Sequence, residues 1–422
     1  MVNKYKILCF LSTLNFILPF VGYQLVTTIF ILPKGDEFVE STRVVTIPYR
    51  AITLLVSLLL ILLADKKTIK KPSLPMIAFL VYWLLLIFRI IYDTYLKVDL
   101  IEYETTQLWL YIFGICIPII ISVYLTHEYI NFDKSLYYIF GGFAVILLVT
   151  LFNNQLLYTG ESEVGRQHAN IALNTISYGH VGVSTFILGF FLIKYRSNNL
   201  IFKIILLFIS ILGIYSTLRS ASRGPFLAIF MVFLFYIFSK RKKALSSIIV
   251  IFTILVIIIL STNQIIDFVD KISPLMADRI KDSIYDGDSS ERNIIYSESI
   301  NKFFENPIFG SQFAHFGRVG NQEAEQGFIY SHNLILDALM GLGIIGGIIM
   351  IYILFSALRN SYFNINRNDN NFWVSLILVQ SVSSLMFSGA FYYDPLFSML
   401  MVLHLISKNY SSNTNINQLN SL

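Results

Sequence analysis

Residues 334–350 read LILDALMGLGIIGGIIM, and the four residues before them are Tyr330-Ser331-His332-Asn333. Upstream, another apolar run ends at Ile257-Ile258-Ile259-Leu260 and gives way to Ser261-Thr262-Asn263-Gln264. What lies between, residues 262–331, is the only long polar segment in an otherwise apolar chain. Two membrane spans do not need so long a connection, and loops of that length are usually functional or disordered. This one reads as folded. Ser289-Ser290-Glu291-Arg292 followed by NIIYSESINKFFENP predicts a capped amphipathic helix that stops at Asn306-Pro307. The expectation is a folded loop that carries chemistry on one membrane face.

The remainder of the sequence supports that reading. The chain has 422 residues, 55% hydrophobic and 14% charged, with a mean hydropathy of +0.67. Soluble domains carry about 25% charged residues, so this is a polytopic membrane protein. The net charge of +5 comes from basic residues scattered at span ends rather than one patch, which argues against nucleic-acid binding. Cys9 and Cys116 both fall inside apolar runs, so no disulfide framework is expected. Lys4 and Lys6 precede an apolar run too long for a signal peptide, read here as a retained first span.

A span needs roughly 20 apolar residues, and about twelve candidates can be placed on that criterion. They lie near 7–32, 45–64, 74–92, 107–125, 135–152, 171–193, 201–218, 224–239, 244–261, 332–356, 372–390 and 394–407. Orientation follows from alternating charge. Lys4 and Lys6, Lys66-Lys67 with Lys70-Lys71, Lys194 with Arg196 and Lys203, and Lys240-Arg241-Lys242-Lys243 collect on one side. Asp36, Glu37, Glu40, Asp93, Asp99, Glu102, Glu104, Glu161, Glu163 and most of 262–331 collect on the other. Both termini are then cytoplasmic and the 262–331 loop is external. Arg166, Arg219, Arg223, Arg279, Arg292 and Arg318 fall on that external side, against the rule, and each needs its own reason.

Four constellations could carry chemistry. In Leu218-Arg219-Ser220-Ala221-Ser222-Arg223-Gly224-Pro225, two arginines stand at a membrane boundary with only small residues between them. They share one face if the segment is helical, but Gly224-Pro225 favours a broken helix or tight turn. Guanidinium groups grip phosphate in bidentate fashion at any relevant pH, which suits a lipid-linked diphosphate; the bland reading is snorkelling or pairing with lipid phosphates. At the next boundary His332 has the chemistry of a general base. Asn333 would orient its ring or bond a sugar, unless the pair simply heads a packed helix. Asp337 lies about one turn deeper, where an acid is costly unless paired, and Gly341, Gly343, Gly346 and Gly347 would let helices approach closely. Arg292, with Glu291 and Glu298, lies on the loop helix, whose charges alone would pass for a solvated face. Glu161-Ser162-Glu163-Val164-Gly165-Arg166-Gln167-His168 combines carboxylates, arginine and histidine in a composition common to loops. His127, His180, His315 and His404 stand isolated and receive no role. No GxxxxGK[ST], HExxH or CxxC motif is present.

Taken in order, Ser222-Arg223-Gly224 opening a span, Arg292 ahead of Phe304-Glu305-Asn306-Pro307-Ile308-Phe309-Gly310, and His332-Asn333 ahead of Gly343-Ile344-Ile345-Gly346 form a recognisable series. It resembles the O-antigen ligase and polymerase superfamily. Each motif is weak alone; their order from Gly213 to Met350 is more specific. The resemblance implies glycan transfer on the outer face of a bacterial plasma membrane, with no nucleotide sugar, no cofactor and no required metal. It implies that Arg223 and Arg292 hold the donor's undecaprenyl diphosphate and that Arg219 assists. His332 would then deprotonate the acceptor hydroxyl, Asn333 would position it, and Arg166 would supply a further arginine from its loop. The implied partners are the lipid-linked glycan donor, a glycan acceptor, the bilayer and a chain-length regulator. The expected fold is an all-α polytopic membrane protein of about twelve spans with short helices in the 262–331 loop. The expected function is polymerisation of surface-polysaccharide repeats. Two alternatives stay open, a ligase delivering glycan to lipid A-core and a transporter of lipid-linked oligosaccharide or anions.

Overall fold

The structure is a computed structural model describing residues 2–30, 38–65, 71–97, 102–152, 174–240, 253, 262–282, 291–316 and 328–406. Among them, nine helices are long and apolar enough to cross a membrane. The first eight are α1 (Lys4–Phe30), α2 (Thr46–Leu63), α3 (Leu74–Leu96), α4 (Thr106–Tyr129), α5 (Phe132–Phe152), α6 (Thr175–Tyr195), α7 (Leu200–Arg219) and α8 (Arg223–Lys240). Three short polar helices follow: α9 (Thr262–Asp270), α10 (Pro274–Lys281) and α11 (Glu291–Glu305). A two-residue antiparallel pair, β1 (His315–Phe316) with β2 (Phe328–Ile329), leads into the ninth span, α12 (Leu334–Asn366). Two shorter apolar helices, α13 (Trp373–Phe387) and α14 (Pro395–Ile406), close the described chain. The protein is an all-α polytopic membrane protein. Each expected span except one coincides with one of these eleven helices; the candidate at 244–261 lies outside the described residues apart from Thr253.

Lipid tails are as apolar as leucine, so spans associate through close backbone approach and interhelical hydrogen bonds rather than hydrophobic transfer. Both devices are visible. Helices α6 and α7 make the most extensive pair. A Cβ on Gly182 would lie 2.4 Å from the Gly213 carbonyl oxygen, and one on Gly213 would lie 2.6 Å from that of Gly182. No larger residue fits at that crossing. Polar bonds bind other spans: Asn15 Nδ2 donates to Ser122 Oγ (2.9 Å), and Ser57 Oγ donates to Asn15 Oδ1 (2.9 Å), joining α1, α2 and α4.

Helix α13 is only 15 residues long, yet it is buried along nearly all its length between α8, α12 and α6. Gln380 finds partners on α6. Gln380 Nε2 donates to the His180 carbonyl (3.0 Å), and its Oε1 accepts from Ser184 Oγ (3.0 Å). Besides the π-helical turn Asp93–Lys97 that ends α3, two spans carry one within them, Leu18–Gly22 with Pro19 in α1 and Ile112–Cys116 in α4. Such local widenings favour functional regions, and these two border the same cavity, described below.

Helices α9 and α10 lie at the α7–α8 turn. Their apolar residues Ile266, Val269, Met276 and Ala277 pack with Leu218 and Ala221. Ile266 and Val269 stand three apart on α9, Met276 and Ala277 are adjacent on α10, and together the two short amphipathic segments cover one small apolar patch.

Candidate functional site

The site begins with a break in a membrane helix. Inside α12, Gly343 has φ 65° and ψ −158°, a conformation open in practice only to glycine. In an unbroken helix the Ile344 amide would donate to the Met340 carbonyl. Instead, Ile344 N donates to the Pro307 carbonyl (2.8 Å), while the Met340 carbonyl accepts from Ser311 N (2.8 Å) and Gln312 N (3.3 Å). Residues 307–312 thus repair the break by giving partners to the Met340 carbonyl and the Ile344 amide. The contact is backbone on backbone: a Cβ on Gly310 would stand 2.4 Å from Gly341 C and O, and one on Gly343 2.3 Å from the Ile308 oxygen.

This corrects the expectation that the glycines serve helix–helix approach. Gly341 and Gly343 receive the loop segment that follows α11, and Gly346 and Gly347 face the Leu342 and Leu339 side chains of their own helix.

Two charges at the end of α3 hold the plug in place. Arg89 forms an ion pair with Asp93 (3.0 Å), both side chains buried, and also donates to the carbonyls of Gly310 (3.0 Å) and Ser311. Asp93 Oδ2 accepts in turn from Phe313 N (2.8 Å). On the other side of the plug, Ser311 Oγ donates to the Lys302 carbonyl of α11. Ser299 of α11 shares a 2.8 Å hydrogen bond with His315 Nε2. Burial, with the Lys302 charge adding to it, pushes the His315 imidazole down to about 4. His315 is therefore a neutral structural partner at ordinary pH.

Between β2 and α12 the chain makes one tight turn. His332 has φ 56°, a left-handed conformation that histidine tolerates better than most residues but still at a cost of order 1 kcal/mol. The turn is tied on both sides. Buried Asp337 accepts from Ser331 N (2.8 Å), and Ser331 Oγ donates to the Asn333 carbonyl (3.0 Å). Asn333 is the N-cap of α12: its Oδ1 accepts from Ile335 N (3.0 Å) and Leu336 N (3.2 Å). Its oxygen is committed to the helix, so only the amide nitrogen is left to meet a ring or a sugar.

The His332 ring packs edge-on against Tyr330, with centroids 4.5 Å apart, and its Nδ1 is buried without a hydrogen bond. Burial, then the Arg292 charge, pushes its imidazole down to about 4. The ring is neutral at physiological pH, as a proton acceptor must be.

Arg292, on the first turn of α11, is thus close enough to His332 and Tyr330 to act on both electrostatically. Arg219 ends α7 and Arg223 opens α8, with a turn at Ser220-Ala221-Ser222 between them. Both arginines are half-buried. The turn is strained and anchored: Ala221 has φ 46°, and its carbonyl accepts from Arg279 Nη1 (3.0 Å). Arg279, which the charge rule expects on the outer side, thereby has a structural reason for its place. The turn packs on α6, where a Cβ on Gly179 would meet Pro225 at 2.6 Å and Ser220 Oγ at 2.7 Å. Arg166 lies outside the described residues.

His332 and Tyr330 form one wall of a cavity of about 440 Å³. The other walls come from α1, α2, α4, α5, α6, α13, α14 and the turn that precedes α14, and include Arg50, Tyr111, His180 and Gln380. Arg219, Arg223 and Arg292 are not among the residues lining it. His180, isolated in the sequence, shares a 2.9 Å hydrogen bond between its Nε2 and Ser384 Oγ. The available signal was an ionisable side chain inside an apolar span, which is rare without a purpose. Among the described residues no cluster of three or more His, Cys, Asp or Glu side chains is placed to hold a metal ion.

Residues 205–351, about a third of the chain, match a family model described as O-antigen ligase. No curated protein and no solved structure matches the chain. The matched segment contains Arg219, Arg223, Arg292, the plug, the broken helix and His332. Arg50, Arg89, Asp93, His180 and Gln380 all lie outside it.

Proposed function

On the premise that the chain belongs to the O-antigen ligase family and is a multi-pass bacterial membrane protein, we propose that it is a polyprenyl-diphosphate-dependent glycosyltransferase. It polymerises undecaprenyl-diphosphate-linked repeat units of a surface polysaccharide. It lies in the plasma membrane with both termini cytoplasmic, and residues 262–331 form an external catalytic loop inserted in a single polytopic domain. The observation that carries the reading is the state of His332: neutral, held by a strained and tethered turn, with Nδ1 unbonded, on a cavity wall beside Arg292.

In the proposed reaction, the acceptor hydroxyl attacks the anomeric carbon of the donor sugar. Its proton passes to the His332 imidazole, and the anomeric carbon–oxygen bond breaks with its electron pair leaving on the diphosphate. Attack opposite the leaving group inverts the anomeric centre. Arg223 and Arg292, assisted by Arg219, stabilise the departing diphosphate, and Arg166 would serve it from its loop. Fixed charges in a site partly closed to water are worth most at such a step. Arg292 also links the two events. While unneutralised it depresses the basicity of His332; a bound diphosphate cancels that charge, so donor binding makes the imidazole a better base. Asn333 fixes where His332 stands by capping the helix that follows it.

A ligase reading has the family description in its favour. One experiment separates the two. A deletion strain is complemented with wild type, Arg223→Ala, Arg223→Lys or His332→Ala, and its glycans are profiled at matched protein levels. A polymerase defect leaves single repeat units; a ligase defect leaves normal-length chains on the carrier that never reach lipid A-core. His332→Ala should cost about 10²–10⁴-fold as loss of a general base, and Arg223→Lys should be poorly tolerated because it loses the planar fork. Wild-type glycan from Arg223→Ala and His332→Ala would sink the enzyme reading and leave transport in front.

A further inference from the structure

Arg50 stands in α2 on the cavity that His332 closes, and it belongs to no part of the matched family segment. Its guanidinium lies over the Tyr111 ring, 4.5 Å from the centroid, and its Nη2 donates to Tyr111 Oη at 2.7 Å. Its Nε is buried with no hydrogen-bond partner. No described carboxylate forms an ion pair with it. Asp394 also lines the cavity, but its Oδ1 accepts from Phe397 N at 2.9 Å, as the cap of α14. Among the described residues, Arg50 is the only lysine or arginine on the cavity wall.

A guanidinium held inside a span with no counter-ion among the described residues is costly and points to a functional site. Here the stack on Tyr111 fixes the fork, leaving Nε as a donor in want of an acceptor. The rest of the wall is chemically suited to a sugar. Tyr23, Tyr49 and Tyr393 line it with aromatic side chains, and the buried Gln24 Oε1 and Ser381 Oγ have no hydrogen-bond partner among the described residues. Apolar rings with a few convergent polar atoms are what small-molecule sites are made of, and about 440 Å³ lies in their usual size range.

We propose that Arg50 is the centre of a second anion subsite, which binds an acidic group of the acceptor glycan within this cavity while the acceptor hydroxyl faces His332. The placement as acceptor rests on the glycosyltransferase reading, because the arginines assigned there to the donor do not line this cavity. The group recognised is a phosphate or carboxylate oxyanion, from one of two sources. It is either the diphosphate of a lipid-linked acceptor or the carboxylate of an acidic sugar. Arg50 is then a residue of acceptor specificity, carried outside the segment common to the family.

The test uses the full chain purified in detergent micelles, with inorganic pyrophosphate, D-glucuronate and uncharged D-glucose as probes. Affinities are measured by titration calorimetry in an Arg223→Gln/Arg292→Gln background, which removes the arginines assigned to the donor. Pyrophosphate binding that falls about tenfold or more in added Arg50→Gln identifies a diphosphate subsite, as expected for loss of a charge-assisted bond. The same fall for glucuronate, with pyrophosphate not bound, identifies an acidic sugar. Tyr111→Phe, which keeps the ring and removes only the hydroxyl, should weaken the same probe by a smaller factor and covers the case in which Arg50→Gln fails to fold. Anion affinity unchanged by both variants, or glucose bound as tightly as glucuronate with no pyrophosphate binding, overturns the proposal. Normal glycan from Arg223→Ala and His332→Ala cells would instead overturn the glycosyltransferase reading, whatever the anion titrations give.

Discussion

Replacing Gly343 by alanine tests whether the loop is built into the membrane helix. An added Cβ would lie 2.3 Å from Ile308 O, 2.4 Å from Ile308 C and 2.7 Å from Gly310 N, all backbone atoms with no flexible end to yield. The φ of 65° with ψ −158° is itself unfavourable to any L side chain by about 1–3 kcal/mol. Relief requires residues 307–312 to withdraw, which strands the Met340 carbonyl and the Ile344 amide in an apolar setting at about 1–3 kcal/mol each. The expected loss is at least about 3 kcal/mol. Gly341→Ala is the matched control. Its Cβ would meet nothing nearer than Phe313 Cα at 3.5 Å, an ordinary contact, so it should stay within about 1 kcal/mol of wild type. Thermal melting in detergent reads the difference, and hydrogen–deuterium exchange locates it. Gly343→Ala should lose amide protection at 307–313 and 340–345 and nowhere else. Equal melting temperatures for the two variants, or protection retained at Ser311 and Ile344, would refute the plugged-break reasoning.

Arg89→Leu should destabilise the protein by about 3–5 kcal/mol, because it leaves Asp93 charged, buried and without its cation. Arg89→Leu/Asp93→Asn should cost less than the two single changes added together, as a double-mutant cycle on melting or denaturant curves would show; strict additivity would mean the pair is not coupled. Stability should also fall with acid. His315 binds a proton near 6.5 when unfolded and only near 4 when folded, so the unfolded state holds more protons between those values. The stability is complete above pH 6.5 and declines as pH falls toward 4, by roughly 3 kcal/mol in all. His315→Gln should flatten that decline in melts taken from pH 7.5 to 4.5; an unchanged slope would exclude His315 as its source.

The spans were legible because apolar runs of span length are a one-dimensional property of the chain. Helix α11 was legible for a similar reason, since its cap and its stop at Asn306-Pro307 are local. The meaning of the glycines was not. Gly343 in a run of apolar residues reads as helix packing, and only the distant segment 307–312 makes it a break. Arg89 and Asp93 were hidden for the same reason, since their partners lie more than two hundred residues away. The site divided along this line. Arg219, Arg223, Arg292 and His332 are marked by local motifs, and Arg292 and His332 do come within electrostatic reach of each other. Arg50 and His180 lack any such motif, and only the cavity relates them to His332.

The exchanged hydrogen bonds at Gly343 also bear on how the chain is assembled. A segment entering a bilayer must satisfy its own backbone, so α12 has to cross as a continuous helix, with the Ile344 amide on the Met340 carbonyl. The segment that later takes those two groups is synthesised earlier and waits outside the bilayer until its receptor helix is in place. Docking then opens a finished span rather than completing an unfinished one, and it also settles the helix end that begins at Asn333. Membrane insertion and maturation of this protein are therefore separate events. A population of fully inserted but still unbroken molecules is the assembly intermediate to look for.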